Sequence, residues 1–143
     1  MSGLRIIGCR FAGGEYGIED NGGAGFVTVM GNRFEACTIA AIGNVSTSNA
    51  LPLQWDVIGN IFANGSAHHI DAPASKWTIA HNWFHTVSGT DHYIDLTGGG
   101  NNAVGPGNFL MGAYAHADYQ DATGDIWAGN YVEAGNTTAN PAA

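Results

Sequence analysis

A repeated pairing of histidine with aspartate is the pattern in this chain most suggestive of chemistry. The spacing His68-x-x-Asp71 returns as His92-x-x-Asp95 in the following repeat. Neighbouring carboxylates shift each other's pKa values apart, as acid–base hydrolysis of a glycosidic bond requires. Carboxylates and imidazoles in a row can alternatively bind a divalent cation. The candidate catalytic residues are Asp71, Asp95 and Asp118, and the candidate binding residues of the same column are His68 and His92.

The same column also has an ordinary structural interpretation. On the outward face of a strand, aspartate and histidine are common solvated residues, and one aspartate per coil can accept a hydrogen bond from a nearby backbone N–H. Glu19 occupies the equivalent position earlier in the chain, and His69 and His116 accompany the column. Residue types and spacing leave both interpretations open.

Trp55 and Trp77 form a second candidate binding pair, because they occupy equivalent positions in neighbouring repeats. Facing outward, the two rings would form a platform on which sugar rings stack. Facing inward, they would fill the core. They lie on the same side of their strands as Val57 and Ile79, which favours the core.

These side chains are positioned by a short phrase, typically Gly-Asn-x-aromatic, that occurs six times. Its copies are Gly8-Cys9-Arg10-Phe11, Gly31-Asn32-Arg33-Phe34, Gly59-Asn60-Ile61-Phe62, His81-Asn82-Trp83-Phe84, Gly107-Asn108-Phe109-Leu110 and Gly129-Asn130-Tyr131-Val132. The second position recurs at intervals of 23, 28, 22, 26 and 22 residues. Recurrence at this length is typical of a solenoid in which each repeat forms one coil.

Each repeat contains three short segments with the alternating pattern of a β-strand. The first precedes the phrase, as in Leu4-Ile7; the second follows the Gly-Asn turn; the third comes about ten residues later, as in His68-Asp71. The chain is therefore predicted to be all-β, a parallel β-helix of about six coils with three short strands per coil, forming a single domain over residues 1–143. An antiparallel sandwich is the alternative, but it gives no reason for the phrase to stay in column.

Stacked coils place equivalent residues directly above one another. The asparagines of the phrase are predicted to form a ladder of hydrogen-bonded side-chain amides. The residues two positions later are predicted to form an internal stack: Phe11, Phe34, Phe62, Phe84, Leu110 and Val132. The residues three positions before the asparagine are predicted to form another inward column: Ile6, Val29, Val57, Ile79, Gly105 and Trp127.

Composition limits the partners. The chain carries a net charge of −8, and only 11% of its residues are charged. This balance disfavours binding to nucleic acid or to an anionic membrane, and no apolar run is long enough to span a bilayer. The sequence contains no Cys/His metal framework, so we expect neither a metal nor a cofactor.

The stacked strand–Gly-Asn–strand coils resemble the pectate-lyase-like right-handed β-helix superfamily, which includes phage tailspikes, polygalacturonases, polysaccharide lyases and epimerases. The resemblance is architectural and covers the chain from Leu4 to about Ala134. It implies a right-handed helix whose Asp71/Asp95 strand lines a substrate groove. Lyases of this superfamily generally use an Arg or Lys near bound calcium, and three of the four basic residues here lie in the first two coils, so lyase chemistry is not expected.

Two functions of different classes fit these observations. The first is a non-enzymatic bacteriophage virion protein, a tail spike, fibre segment or capsid decoration that binds host surface glycan. The second is a polysaccharide-degrading enzyme, or a fragment of one, that uses Asp71 and Asp95. The sequence shows no capping segment over the open strand edges of a first or last coil, so we expect a homo-oligomer, a trimer, with other virion proteins as further partners. The expected location is the virion or the extracellular space.

Overall fold

Short strands and sharp turns determine the course of the chain. The computed structural model describes residues 3–21, 24–44, 53–65, 68–85, 93–111, 119–120 and 124–132. These residues form three sheets in which every strand pairs in parallel with the equivalent strand of the next coil. The described residues contain no helix, and hence none that could span a membrane.

The strands follow one another around the coil in a fixed order, so that every third strand belongs to the same sheet. Sheet A contains β1 (Leu4–Ile7), β4 (Gly25–Met30), β7 (Leu53–Ile58), β10 (Thr78–Ala80), β13 (Ala103–Val104) and β16 (Ile126–Trp127). Sheet B contains β2 (Arg10–Ala12), β5 (Arg33–Glu35), β8 (Ile61–Ala63), β11 (Trp83–Phe84), β14 (Phe109–Leu110) and β17 (Tyr131–Val132). Sheet C contains β3 (Tyr16–Asp20), β6 (Ala40–Asn44), β9 (His68–Asp71), β12 (Ile94–Asp95) and β15 (Tyr119–Gln120).

The predicted fold class is confirmed: the chain is an all-β parallel solenoid with three strands per coil. Its regular part amounts to about four full coils rather than the six predicted. The difference arises at the C-terminal end, where every strand from β11 to β17 is only two residues long. The sixth repeat also lacks a third strand within the described part of the chain.

The coil turns at corners where one residue adopts the left-handed conformation. Gly8, Gly31, Gly59 and Gly129 have φ between 63° and 67°, so glycine avoids the strain that a Cβ brings there. His81 replaces glycine at the same corner with φ 56°. The corner that leads into sheet A has the same geometry at Phe26, Gln54, Lys76 and Asn101, with φ between 57° and 59°.

The predicted asparagine ladder is present inside the Gly-Asn corner. Asn32, Asn60, Asn82, Asn108 and Asn130 are all buried. In each of the first four, the side-chain Nδ2 donates a hydrogen bond to the Oδ1 of the next asparagine, and the N–O distances are 3.0, 3.1, 3.0 and 2.8 Å. Each Nδ2 also donates to a backbone carbonyl, as Asn60 does to Val29 at 2.9 Å. The ladder thus satisfies buried backbone groups as well as its own amides.

The predicted internal stack is present as well. Phe11, Phe34, Phe62 and Phe84 stack with centroid separations of 4.8, 5.0 and 4.8 Å and with planes within 6° of parallel. The spacing equals the distance between neighbouring strands, so the sheets impose the stacking geometry. Leu110 continues the column in the next coil and is 1% exposed.

One inward column was predicted with the wrong register in the fifth repeat. Ile79 pairs with Val104, and Val104 pairs with Trp127, so Val104 rather than Gly105 occupies the column. The segment Gly105-Pro106-Gly107 contains one residue more than the equivalent turns. The inward residue of this repeat therefore lies four positions before Asn108 instead of three.

Candidate functional site

The predicted carboxylate column lies on sheet C. Asp71 and Asp95 are directly paired in neighbouring strands, and both are half-buried. Glu19 belongs to the same column but is separated from Asp71 by Gly43, since Glu19 pairs with Gly43 and Gly43 with Asp71. In the next coil Asp95 pairs with Gln120. Asp118 and His92 lie outside the described residues.

Tyr16 fills the space above Gly43 and completes this polar surface. A Cβ on Gly43 would collide with the Tyr16 ring, so the phenol lies across the acidic column. Burial raises the pKa of Tyr16, and the negative charges of Asp71, Glu19 and Glu15 raise it further. The phenol therefore stays protonated and can donate a hydrogen bond beside the carboxylates.

The chemistry open to this surface is limited. Among the described residues, no group of three or more His, Cys, Asp or Glu side chains could hold a metal ion. The Oδ1 of Asp95 accepts the backbone N–H of Thr97 at 2.9 Å, which is the structural role expected of an aspartate at a strand end. Asp71 and Asp95 are neighbours on one face, the arrangement that an acid–base pair needs.

The histidines of the third strand separate into two environments. His68 is half-buried and pairs with Ala40. His69 is 1% exposed and lies in the core among Phe62, Phe84 and Tyr93, so it is not part of the polar face. Its Nε2 bonds to the carbonyl of His85, and burial lowers its pKa to about 4. The ring is thus neutral at neutral pH and donates from Nε2.

The tryptophan pair is not a surface platform. Trp55 and Trp77 stack at 4.6 Å with planes 4° apart, but they are only 2% and 1% exposed. Both point inward beside Val57 and Ile79, the alternative that the strand pattern favoured. Burial leaves no ring face for a ligand, so the assignment of Trp55 and Trp77 as binding residues is corrected to core packing.

An exposed aromatic row exists instead on sheet B. We call it the aromatic strip, and it consists of Ile61, Trp83, Phe109 and Tyr131, which occupy one outward column. Trp83 and Tyr131 are 46% and 41% exposed, whereas Ile61 and Phe109 are half-buried. Trp83 and Phe109 lie 5.0 Å apart with planes tilted by 45°, and Phe109 and Tyr131 lie 4.5 Å apart, nearly parallel.

Polar groups border this strip. The Trp83 indole N–H donates to the sulfur of Met111, and the His85 ring lies 6.3 Å from the Trp83 ring. In the first two coils the same column continues as Arg10 and Arg33, and both guanidiniums pair with Glu35 at 2.5 Å. Hydrogen bonds from Arg33 and Arg10 lower the pKa of Glu35.

The aromatic strip was missed by the sequence analysis although its signal is present. The residue directly after each ladder asparagine has the opposite parity to the inward phenylalanine, so it must point outward. Read in order, that position gives Arg10, Arg33, Ile61, Trp83, Phe109 and Tyr131. Three consecutive aromatic residues at an outward position are the signal.

Comparison with protein-family models, with curated proteins and with solved structures yields no match for this chain. The fold is therefore established by the geometry of the coils alone.

Proposed function

We propose that this chain is a non-enzymatic structural protein, a β-helical segment of a bacteriophage spike, fibre or capsid decoration, that binds host surface glycan. The observation that carries the proposal is the aromatic strip, an uncharged row of rings exposed on one face of a rigid solenoid. Aromatic side chains combine a large apolar area with few rotatable bonds, so their exposure in a fixed row favours a ligand-binding surface.

The geometry of the strip suits a saccharide chain. The ring centroids of successive coils lie 5.0 and 4.5 Å apart, so the rings form a continuous row that an extended chain of sugar units can follow. Because Trp83 is tilted by 45° from Phe109, Phe109 does not cover it face to face as it would in a parallel stack. Apolar sugar faces can pack on this ring while hydroxyls bond to polar groups such as His85 and the Tyr131 hydroxyl.

The uncharged side chains of the strip favour a neutral sugar over an acidic one. No charged side chain lies in the column from Ile61 to Tyr131, and the whole chain carries a net charge of −8. A neutral glycan incurs neither repulsion from the protein nor desolvation of a charge on the strip. The proposed ligand of this surface is therefore a neutral oligosaccharide.

The finer assignments belong to the same proposal. The chain is proposed to be a divergent member of the pectate-lyase-like right-handed β-helix superfamily, to act on the virion or outside cells, and to assemble as a homotrimer. Light scattering after size exclusion measures the assembly directly: three times 14.8 kDa is expected, and a monomer would contradict the trimer.

The test of glycan binding uses isothermal titration calorimetry with a panel of neutral oligosaccharides. The variant Trp83→Ala removes the most exposed ring of the strip and should weaken binding at least tenfold. Ile126→Ala is the matched control, since it truncates a side chain that is 63% exposed on a different sheet. Equal affinity of the wild type and Trp83→Ala would refute the role of the strip.

A polysaccharide-degrading enzyme is the second candidate, and one specific observation favours it. Asp71 and Asp95 are paired neighbours on an outward face, with the protonated Tyr16 phenol beside them. If the pair is catalytic, wild-type protein shortens a polysaccharide and Asp71→Asn abolishes that activity while the melting temperature is unchanged. Unchanged polysaccharide length in the presence of the wild type would exclude this function for the polymers tested.

A further inference from the structure

A separate cleft lies on the outer face of sheet A. It has a volume of about 440 Å³, within the range of small-molecule sites. Its floor is one outward column of four consecutive coils, because Arg5 pairs with Thr28, Thr28 with Asp56, and Asp56 with Thr78. Phe26, which is 56% exposed, and Lys76 also line the cleft.

The cations of the cleft differ from the other cations of the chain. The sequence contains four basic residues, and two of them, Arg10 and Arg33, share an ion pair with Glu35. Arg5 and Lys76 both line this cleft, and within the described ranges neither has a carboxylate within 4.0 Å. In a chain with a net charge of −8, the two cations left unpaired among these residues therefore lie in one cavity.

The remaining lining groups define the rest of the ligand. Thr28, Thr78 and Gln54 can donate and accept hydrogen bonds, and Asp56 accepts them. Such groups match the hydroxyls of a sugar, and the exposed Phe26 ring offers an apolar surface at the edge. Arg5 and Lys76 lie three coils apart, or about 14 Å at the usual inter-strand spacing, so the ligand is elongated along the solenoid axis.

From these contacts we infer that the sheet A cleft binds a short acidic glycan segment, with a sugar carboxylate held by Arg5 and hydroxyls facing the threonines, Gln54 and Asp56. A planar guanidinium can hold a carboxylate with two parallel hydrogen bonds, which makes Arg5 the principal anchor. Lys76 attracts a second anionic group at the other end. Because the overall charge is negative, isolated acidic units bind better than a dense polyanion.

This site is independent of the aromatic strip, since the two lie on different sheets. The inference therefore does not rest on the proposed function. If one site does not bind its ligand, binding at the other can still be measured. Trp83→Ala tests binding at the aromatic strip, and Arg5→Gln tests binding at the cleft.

The experiment is calorimetry with three probes: a glucuronate-containing disaccharide, the matched neutral disaccharide and inorganic sulfate. The wild type should bind the acidic disaccharide more tightly than the other two. Arg5→Gln should weaken that binding at least tenfold, Lys76→Gln should weaken it less, and added salt should weaken it in the wild type.

Arg33→Gln supplies the matched control, because it removes the same charge from a residue already paired with Glu35. Equal loss in Arg5→Gln and Arg33→Gln would overturn the site, because the effect would then come from overall charge. Equal affinity for both disaccharides would overturn recognition of the carboxylate. Equal affinity for sulfate and the acidic disaccharide would reduce the cleft to a simple anion site and overturn the glycan assignment.

Discussion

Replacement of Asn60 by leucine tests the energetic role of the asparagine ladder. Leucine has the same number and branching of side-chain heavy atoms as asparagine but has no hydrogen-bonding atom. Asn60 lies in the middle of the ladder and is 1% exposed, so water cannot replace the lost partners without opening the coil.

The expected magnitude follows from the hydrogen bonds that disappear. The Oδ1 of Asn60 accepts the backbone N–H and the Nδ2 of Asn32, at 2.9 and 3.0 Å. Its Nδ2 donates to Val29 and Asn82, at 2.9 and 3.1 Å. At about 1 kcal/mol net for each bond, the free energy of unfolding should fall by about 4 kcal/mol. For a chain of this size the melting temperature should fall by about 12 °C.

Asn130→Leu provides a graded control at the far end of the ladder. Its side chain makes two of these bonds to described residues, with Asn108 and with the carbonyl of Val104, both at 2.8 Å. The expected loss is therefore about 2 kcal/mol. Both variants should be unfolded by urea while circular dichroism is recorded. An Asn60→Leu protein as stable as the wild type, or no more destabilised than Asn130→Leu, would show that the hydrogen bonds of the ladder do not stabilise the coils.

Two further predictions concern the core and a tight turn. The pKa of His69 is about 4 in the folded state against an ordinary value of 6.5, so the unfolded chain alone binds this proton between those values. The contribution of neutral His69 to the free energy of unfolding is therefore fully present above pH 6.5, and about 3 kcal/mol of it is lost as the pH drops to 4. The variant His69→Gln should show a weaker pH dependence of the melting temperature. Identical pH dependence of the two proteins would contradict this prediction. Gly99→Ala should destabilise strongly, because its Cβ would overlap the backbone carbonyl of Ala74. Gly31→Ala, which adds a Cβ with no atom within 4 Å, should cost only about 1 kcal/mol of backbone strain; an equal urea midpoint for both would show that the overlap is relieved.

The inside of the solenoid could be predicted from the sequence because one phrase fixes the register of each coil. The asparagine ladder and the Phe34–Phe62–Phe84 stack follow from the column positions and the period of two along a strand. The inward direction of Trp77 followed from the same parity. The prediction was wrong at Gly105, where one additional turn residue shifts the strand relative to the next asparagine.

The exposed side chains and the cleft were harder to predict, because they depend on contacts between residues of different strands and corners. The outward position of Trp83 follows from strand parity, but its 46% exposure depends on how the neighbouring side chains pack around it. The burial of His69 could not be derived, since His69 and Ile70 are consecutive buried residues within β9, where strict alternation fails. The sheet A cleft depends on the left-handed backbone conformation that Phe26, Gln54 and Lys76 share at equivalent corners. Non-glycine residues adopt this conformation rarely, so the sequence does not indicate it.

Fluorescence quenching of Trp83 measures whether a neutral oligosaccharide binds to the aromatic strip. Of the four tryptophans, Trp83 is 46% exposed, whereas Trp127, Trp55 and Trp77 are 8%, 2% and 1% exposed. Acrylamide should therefore quench chiefly Trp83, and a bound neutral oligosaccharide should protect it. We predict that the quenching constant falls as the oligosaccharide is added and that Trp83→Phe abolishes this change. Quenching that is unaffected by a saccharide shown to bind would contradict the aromatic strip as the glycan-binding surface.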